Sequence, residues 1–479
     1  MTSAQELNPR RWLMLPVVLA AAFMAIIDVF IANVAAPSIQ KDLGASTAQV
    51  QWLFASYVLA YALGLITGGR LGDIHGRRRC LGFGLAGFTA ASALCGSAPS
   101  PSALLAARFV QGLSAALMFP QMLSVIQVEF APEERRRCFA LMGGVQGAGA
   151  ILGQIVGGGL ISLDVLGLEW RSVFLINVPV GIAALVAAGR LVPESRSDSA
   201  RRLDLGGVAL GSLVLGLIIV PLVEGRQAGW PWWVPVAFAA AVPAAALWIA
   251  YERRVKARGG SPLVELSLFR ERGFRLGLPL VLLFWMVTSF FLLIGLYLQD
   301  GLGYSPVAAG LLFAPLAVAF VVASLSTGKL GSIGDDRLLA IGASVAALGL
   351  VLSALIAASA GDAFPGLPLI LAFVIVGAGN GCFMPTAVGA VLRRIPADAA
   401  GSASGVLSTA QQVGYALGVA GGGSAFFSEL GQRSGGAAYG DALAVGTLVA
   451  IAVTVAASFL ALQLRERTAA REPQAATLK

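Results

Sequence analysis

The sequence predicts an all-α integral membrane protein with fourteen transmembrane helices, arranged as two six-helix bundles and two helices inserted between them. Of the 479 residues, 57% are hydrophobic and only 12% are charged, and the mean hydropathy is +0.82. Soluble chains are about 45–50% apolar and about 25% charged. This chain therefore lacks the charged surface that a soluble protein of its length needs.

Fourteen apolar runs are long enough to cross a bilayer, which takes roughly 20 residues. Their approximate limits are 12–36, 50–69, 80–98, 103–126, 138–163, 170–192, 203–223, 230–251, 274–299, 306–327, 338–359, 366–392, 401–425 and 440–464. The first run is too long for the apolar core of a signal peptide, so we expect it to be retained as a span.

The basic residues predict that both termini are cytoplasmic. With the N-terminus inside, only Lys41, Arg171, Arg226 and Arg433 fall on the outer side, as the positive-inside rule requires. Short basic clusters between apolar runs do not form the single patch that nucleic acid would need. The cysteines are Cys80, Cys95, Cys138 and Cys382. Because they are far apart and form no CxxC pair, they predict no disulfide framework and no metal site.

Short motifs recur along the chain at nearly constant offsets. "DLGAS" at 42–46 returns as "GLGYS" at 301–305, an offset of 259, and "QGAGAILGQIVGGG" at 146–159 resembles "QQVGYALGVAGGG" at 411–423, an offset of 265. Such repeats are typical of transporters. They predict an N-terminal bundle at 12–192, two inserted helices at 203–251, a C-terminal bundle at 274–464 and a cytoplasmic tail at 465–479.

Asp28 is an acid inside the first span, in "MAIIDVFIANVAAP". A charge there costs at least a few kcal/mol, and such residues are usually functional. Helical rise places Asp28 roughly 13 Å below Pro37 and Arg108 roughly 9 Å below the outer start of its span, depths that permit contact. At the repeat offsets their counterparts are Val287 and Phe373. Since both counterparts are apolar, we predict proton handling by Asp28 and Arg108 in the N-terminal half. The alternative is a pair that only locks two helices together.

Several motifs resemble the major facilitator superfamily, and specifically its fourteen-span drug:proton antiporters. "GRLGDIHGRRRCL" at 69–81 fits the superfamily loop pattern, "LLAARFVQG" at 104–112 fits the fourth-span pattern, and "IIDVFIANVAAP" fits the first-span pattern. "WRSVFLINVP", "PLVELSLF", "LYLQ" and "GYSPVAAGL" also look like this subfamily. One departure is Gln154, which stands where the antiporter pattern has proline and weakens the support for export.

The loop at 69–81 is predicted to act as a cytoplasmic latch through Gly69, Asp73, Gly76 and Arg77, or to be only a topology signal. His75 is the single histidine, and we expect it to be solvated. Helix-packing faces are predicted at Gly149, Gly153, Gly157, Gly414 and Gly418. Candidate substrate contacts are Tyr57, Tyr61, Gln111, Gln146, Trp285, Asn380, Phe383, Met384 and Gln411.

The resemblance implies a proton-coupled exporter of small amphipathic molecules in the bacterial cytoplasmic membrane. With one embedded acid, monocationic or neutral substrates fit best. The proton gradient would supply the energy, so no cofactor is expected, and we expect a monomer in contact with lipid. A proton-coupled nutrient importer is the alternative. A membrane enzyme or sensor is a weaker one, because the sequence shows no nucleophile with a base, no phosphate loop and no metal-ligand cluster.

Overall fold

The computed structural model describes residues 9–164, 167–197, 202–225, 228–327, 334–393, 395–396 and 399–463. Every regular element within these ranges is helical. The predicted tail at 465–479 lies outside the described residues, as do the side chains of Asn33, Pro37 and Gln154.

The helices follow the predicted apolar runs. The first part of the chain forms α1 (Arg11–Leu43), α2 (Thr47–His75), α3 (Arg77–Gly96), α4 (Pro101–Glu129), α5 (Pro132–Leu163), α6 (Ser172–Leu175) and α7 (Asn177–Leu191). The next two helices are α8 (Leu205–Glu224) and α9 (Trp233–Ala257). The last part forms α10 (Arg272–Val287), α11 (Ser289–Leu296), α12 (Pro306–Leu312), α13 (Ala314–Ser326), α14 (Asp335–Ser359), α15 (Leu367–Leu392), α16 (Ala400–Leu430) and α17 (Gly436–Leu462).

Twelve helical stretches among the described residues are long and apolar enough to cross a membrane, where the sequence predicts fourteen. The other two predicted spans, 138–163 and 401–425, lie in α5 and α16, which are 32 and 31 residues long. Some α5 side chains lie outside the described residues, and α16 is rich in glycine, serine and glutamine. The structure therefore shows a helical membrane protein with twelve candidate spans.

The segment predicted as a loop at 69–81 is almost entirely helical, so that prediction is wrong. α2 runs to His75 and α3 starts at Arg77, which leaves Gly76 as the only residue between them. Gly76 has a φ of +105°, a conformation that residues with a side chain rarely adopt. The prediction equated the end of the apolar run with the end of the helix. The helical backbone hydrogen bonds continue past that point, through residues whose side chains are charged.

Helix packing reproduces the internal repeat. A Cβ atom on Gly112 would lie 2.4 Å from the main-chain oxygen of Tyr57, where α4 crosses α2. A Cβ atom on Gly377 would lie 2.1 Å from the main-chain oxygen of Leu316, where α15 crosses α13. Leu316 follows Tyr57 by 259 residues, and Gly377 follows Gly112 by 265. The same close crossing thus recurs at both predicted offsets.

The predicted glycine faces pack inside each half rather than between the halves. A Cβ atom on Gly153 would lie 3.0 Å from the oxygen of Ile27 in α1. A Cβ atom on Gly418 would lie 2.2 Å from the oxygen of Met286 in α10. The remaining members, Gly149, Gly157 and Gly414, face α1 or α10 in the same way. Small residues let α5 approach α1 and let α16 approach α10.

The two halves meet through a few helix pairs. α16 contacts α2 and α4, and α5 contacts α13 and α15. The helices α8 and α9 pack on each other, and α8 also contacts α2 and α16, one from each half. We refer to the end of the helices that carries Arg78, Arg79 and Arg135 as the basic end.

Candidate functional site

Asp28 lies in a buried polar network that joins α1, α3, α4 and α7. Its side chain is fully buried in the middle of α1. Oδ2 accepts a hydrogen bond from Nη1 of Arg108 at 2.5 Å. Oδ1 accepts one from Nε2 of Gln111 at 2.8 Å and one from Nδ2 of Asn177 at 2.9 Å. The predicted contact between Asp28 and Arg108 is therefore present, with two amides added to it.

Arg108 is held from several directions. Its Nη1 also donates to Oε1 of Gln111 at 2.7 Å, and its Nε donates to the main-chain oxygen of Leu53 at 3.4 Å. The guanidinium lies 4.4 Å from the ring centre of Tyr57 and 5.7 Å from that of Phe174, a cation–π arrangement. A buried ion pair recovers its desolvation cost only with such additional hydrogen bonds.

Ser92 connects the two amides of the network. Its Oγ accepts from Nε2 of Gln111 at 2.7 Å and from Nδ2 of Asn177 at 3.3 Å. Three donors thus converge on the carboxylate of Asp28, and hydrogen bonds to a carboxylate stabilise its charged form. All the hydrogen bonds that the described residues make to Asp28 are therefore donated to its carboxyl oxygens, by Arg108, Gln111 and Asn177.

Ser92 and Asn177 are not among the site residues predicted from the sequence. Single serines and asparagines occur in many spans and carry no signal of their own. The one signal that could have identified Asn177 is its position in the motif "WRSVFLINVP". Gln111 was predicted to contact substrate, but its side chain binds Asp28, Arg108 and Ser92.

The second half has no charged counterpart among the corresponding residues. Val287 and Phe373 are buried in an apolar cluster together with Leu316, the counterpart of Tyr57. The ring of Phe373 stacks on Phe313 with their centres 5.7 Å apart. Aromatic and aliphatic packing thus replaces the ion pair at the equivalent place in the C-terminal half.

Asp73 joins the halves at the basic end. Its Oδ1 accepts hydrogen bonds from Nη2 of Arg77 at 2.8 Å and from the main-chain nitrogen of Gly401 at 3.0 Å. Its Oδ2 accepts from the main-chain nitrogen of Ser402 at 2.9 Å. A carboxylate at the N-terminus of α16 interacts favourably with the helix dipole. Asp73 in α2 therefore caps a helix of the other half.

The other predicted latch residues surround this cap. Gly69 lies against Gly401, and a Cβ atom on it would be 2.2 Å from the Gly401 oxygen. Gly76 lies against Glu194, whose carboxylate forms ion pairs with Arg78 and Arg79. His75, at the end of α2, is exposed, as expected for a solvated residue. The four latch residues therefore lie together at the basic end.

Four of the predicted substrate contacts lie in one apolar cluster that includes helices of both halves. They are Tyr57, Tyr61, Phe383 and Met384. Trp285 packs against the same cluster. Tyr57 and Tyr61 stack with ring centres 6.0 Å apart, and Phe383 stacks on Phe284 at 5.6 Å.

The remaining candidates are buried amides in other places. Asn380 lines a small pocket between α10, α14, α15 and α17, together with Phe284 and Phe383. Gln146 in α5 and Gln411 in α16 are both buried. Among the described residues, no hydrogen-bond partner reaches Nε2 of Gln146 or Nε1 of Trp285.

Comparisons with known proteins agree with this architecture. The model of the Major Facilitator Superfamily matches residues 18–419. The chain is 42% identical over 427 residues to the "Probable actinorhodin transporter" of Streptomyces coelicolor, covering 89% of this chain and 74% of that protein. It is 37% identical over 435 residues to the "Puromycin resistance protein pur8" of Streptomyces alboniger, covering 87% and 82%.

A third relative is the "Cephamycin export protein CmcT" of Amycolatopsis lactamdurans, 34% identical over 407 residues, covering 84% of this chain and 82% of that protein. Among solved structures, the human organic anion transporter MFSD10 superimposes with a TM-score of 0.67 at 15% identity, covering 95% of this chain and all of that one. The proton:xylose symporter XylE superimposes with a TM-score of 0.63 at 16% identity, covering 92% and 94%. These two likenesses concern the fold alone.

Proposed function

Because the chain belongs to the major facilitator superfamily, as its motifs predicted, we propose that it is a proton-coupled secondary transporter that exports amphipathic small molecules. The family consists of transporters, so the chain is not an enzyme. The names of three of its relatives concern actinorhodin transport, puromycin resistance and cephamycin export. The proposed substrates of this chain are antibiotics and related amphipathic compounds that are monocationic or neutral.

The observation that carries proton coupling is the buried carboxylate of Asp28 with three donors around it. Protonation removes the negative charge that holds Arg108, so the contacts between α1, α4 and α7 must change when a proton arrives. Asp28 is then the proton carrier, and Arg108 is the partner whose contacts report the protonation state. The structural alternative, a pair that only locks α1 to α4, predicts no effect of pH on transport.

Contacts between the two halves at the basic end support the proposal of alternating access. Asp73 binds the start of α16, and Gln127 in α4 donates to the main-chain oxygen of Leu392 at the end of α15, at 2.6 Å. We propose that the predicted latch, through Asp73, and the contact of Gln127 together hold the basic end closed. Both contacts break when the basic end opens. Substrate would enter there and leave on the opposite side, while a proton moves inward.

We further propose that α5 and α16 also cross the membrane, which gives fourteen spans. The basic end then faces the cytoplasm, both termini are cytoplasmic, and the protein lies in the bacterial cytoplasmic membrane as a monomer surrounded by lipid. The proton gradient is the energy source, and no cofactor takes part. The bundles at 12–192 and 274–464 would rock against each other, with the inserted helices at 203–251 attached to their junction through α8.

The test is transport in inverted membrane vesicles with an imposed pH gradient, using ethidium and puromycin as probes. We expect wild-type vesicles to accumulate at least one probe and to lose it when the gradient is collapsed. Asp28→Asn should abolish gradient-driven uptake. The control is Asp441→Asn, since Asp441 is an exposed carboxylate paired with Arg433 and distant in sequence from the network. Uptake that ignores the gradient, or that survives in Asp28→Asn, would contradict the proposal.

A further inference from the structure

Asn177 occupies a special position in the network. It is the first residue of α7, separated from the short helix α6 by Ile176 alone, and it is 2% exposed. Both hydrogen bonds that the described residues give to its side chain run through Nδ2, to Oδ1 of Asp28 and to Oγ of Ser92. Asn177 is thus the contribution of α7 to the carboxylate of Asp28.

We propose that Asn177 is a positioning residue that sets the pH at which Asp28 binds and releases its proton. The inference rests on the proposed function, in which Asp28 is the proton carrier. It goes further by assigning to α7 a direct part in the coupling step.

The two amides that bind Asp28 differ in their freedom to turn. Gln111 is fixed, because its Oε1 accepts from Nη1 of Arg108 and from Sγ of Cys95. Turning this amide would place its NH2 group against the guanidinium. Asn177 makes its two bonds through one atom, so a half-turn about χ2 exchanges Nδ2 for Oδ1 at Asp28. The oxygen of Asn177 can therefore replace its nitrogen without disturbing Arg108.

This exchange serves both proton states. A carboxylate only accepts hydrogen bonds, whereas a protonated carboxyl also carries an O–H donor that needs an acceptor. Before protonation, Nδ2 of Asn177 donates to Oδ1 of Asp28; after it, Oδ1 of Asn177 accepts from the new O–H. The hydroxyl of Ser92 can donate or accept, so it pairs with either face of the amide. The carboxylate and the new O–H of Asp28 then each find a partner in the same amide, whereas an unpaired buried O–H would cost about 1–3 kcal/mol.

The other titratable groups that face Asp28 cannot take over this role. They are Arg108 on α4, Tyr57 on α2 and Cys95 on α3. Arginine stays charged in proteins, and tyrosine and cysteine ordinarily titrate above neutral pH. Among the described residues, the remaining hydrogen-bond partners of Asp28 are the amides of Gln111 and Asn177.

The test measures gradient-driven ethidium transport in proteoliposomes across a pH series and determines the midpoint pH. Asn177→Asp places two carboxyls within hydrogen-bonding distance, and such a pair retains a proton. We expect its midpoint to rise by roughly 2 pH units. Asn177→Ala removes one donor from the carboxylate and one acceptor from the acid. The hydrogen bond from Nδ2 to the charged carboxylate is stronger than the bond from the neutral acid to Oδ1. The loss of both bonds should therefore raise the midpoint of Asn177→Ala by about 1 pH unit.

Asn177→Ser keeps a group that donates and accepts, so we expect it to restore much of the wild-type profile. The control is Gln121→Ala, which removes a buried amide outside the network. Gln121 lies in α4 and donates to the main-chain oxygen of Gly68. Its midpoint should equal that of the wild type. If Asn177→Asp does not fold, the alanine and serine variants still decide the question.

A wild-type midpoint in folded Asn177→Ala and Asn177→Asp would overturn the inference, provided that wild-type transport is gradient-driven and Asp28→Asn abolishes it. Failure of the proposed function has a different signature. In that case the wild type itself shows no gradient-driven transport, or Asp28→Asn transports normally.

Discussion

The amide nitrogen of Gln127 donates to the main-chain oxygen of Leu392 at 2.6 Å and so fastens the end of α4 to the end of α15 in the other half. A second, longer contact runs from the same nitrogen to the oxygen of Ile395 at 3.4 Å. Asp73 binds the start of α16 close by. Two side chains of the first half therefore hold both ends of the connection between α15 and α16.

The first prediction concerns these two contacts. Ser404 is fully buried, and its Oγ accepts a hydrogen bond from Oγ of Ser124 in the other half at 3.2 Å. A Ser404→Cys variant should therefore react with maleimide only when the basic end opens. Gln127→Leu loses a neutral hydrogen bond and should raise the labelling rate several-fold. Asp73→Asn loses a charge at a helix N-terminus and the ion pair with Arg77, and should raise the rate by about tenfold or more. Equal rates in all three backgrounds would show that these contacts do not hold the basic end closed.

The second prediction concerns the close approach of Gly69 and Gly401. A Cβ atom on Gly401 would lie 2.3 Å from the main-chain oxygen of Gly69 and 2.5 Å from the carboxylate of Asp73, so it would collide with both. Gly401→Ala should therefore separate α2 from α16, increase Ser404→Cys labelling roughly tenfold and reduce transport. The matched control on α16 is Gly423→Ala, because a Cβ atom there would meet nothing within 4 Å. Similar behaviour of the two variants would argue against a steric role for Gly401.

The third prediction uses the repeat. Gly112→Ala and Gly377→Ala add the same methyl group at equivalent crossings in the two halves. Each should lower the free energy of unfolding by about 1–3 kcal/mol, measured as a reduced Tm in detergent. Only Gly112→Ala should also alter gradient-driven transport, because Gly112 is adjacent in sequence to Gln111 in the Asp28 network. An effect on coupling from Gly377→Ala alone would contradict the assignment of proton handling to the first half.

The fourth prediction concerns Asp42, beyond the membrane span of α1. Its Oδ2 accepts from the indole of Trp170 at 2.9 Å and from Arg171 at 2.8 Å, and these contacts hold the pKa of Asp42 below its usual range. A carboxyl with a lowered pKa adds stability above its unfolded value, about 3.9, and loses it as the pH falls through the folded value. Asp42→Asn should therefore lower the Tm at pH 7, and the difference should shrink as the pH falls below about 3.9 and through the folded pKa of Asp42. A constant difference at all pH values would exclude an electrostatic origin.

The site could be predicted from the sequence where charge or repetition marked it. Asp28 and Arg108 are ionisable residues in apolar runs, and their depths indicated that they could meet. The repeat offsets identified Val287 and Phe373 as their apolar counterparts. Ser92 and Asn177 could not be found this way, because neutral polar residues are common in spans. Whether such residues face the network depends on the rotation of α3 and α7 about their axes, which packing decides.

The latch, too, could be predicted from the sequence only in part. The motif at 69–81 identified Asp73 and Arg77, but their partners Gly401 and Ser402 lie more than 300 residues away and carry no charge. A backbone amide at the start of a helix has no sequence signal that names its acceptor. The partners of Asp73 therefore emerged only from the packing of α2 against α16.

The ion pair of Asp28 and Arg108 also determines how the site responds to the electrical potential across the membrane. With both groups ionised, the buried pair is neutral overall, and the membrane potential exerts almost no net force on it. Once Asp28 is protonated, Arg108 is left as a buried positive charge, and moving such a charge through the full field is worth about 2.3 kcal/mol per 100 mV. A negative cell interior would pull the proton-loaded site inward. Voltage alone, with no difference in pH, should then be able to drive transport.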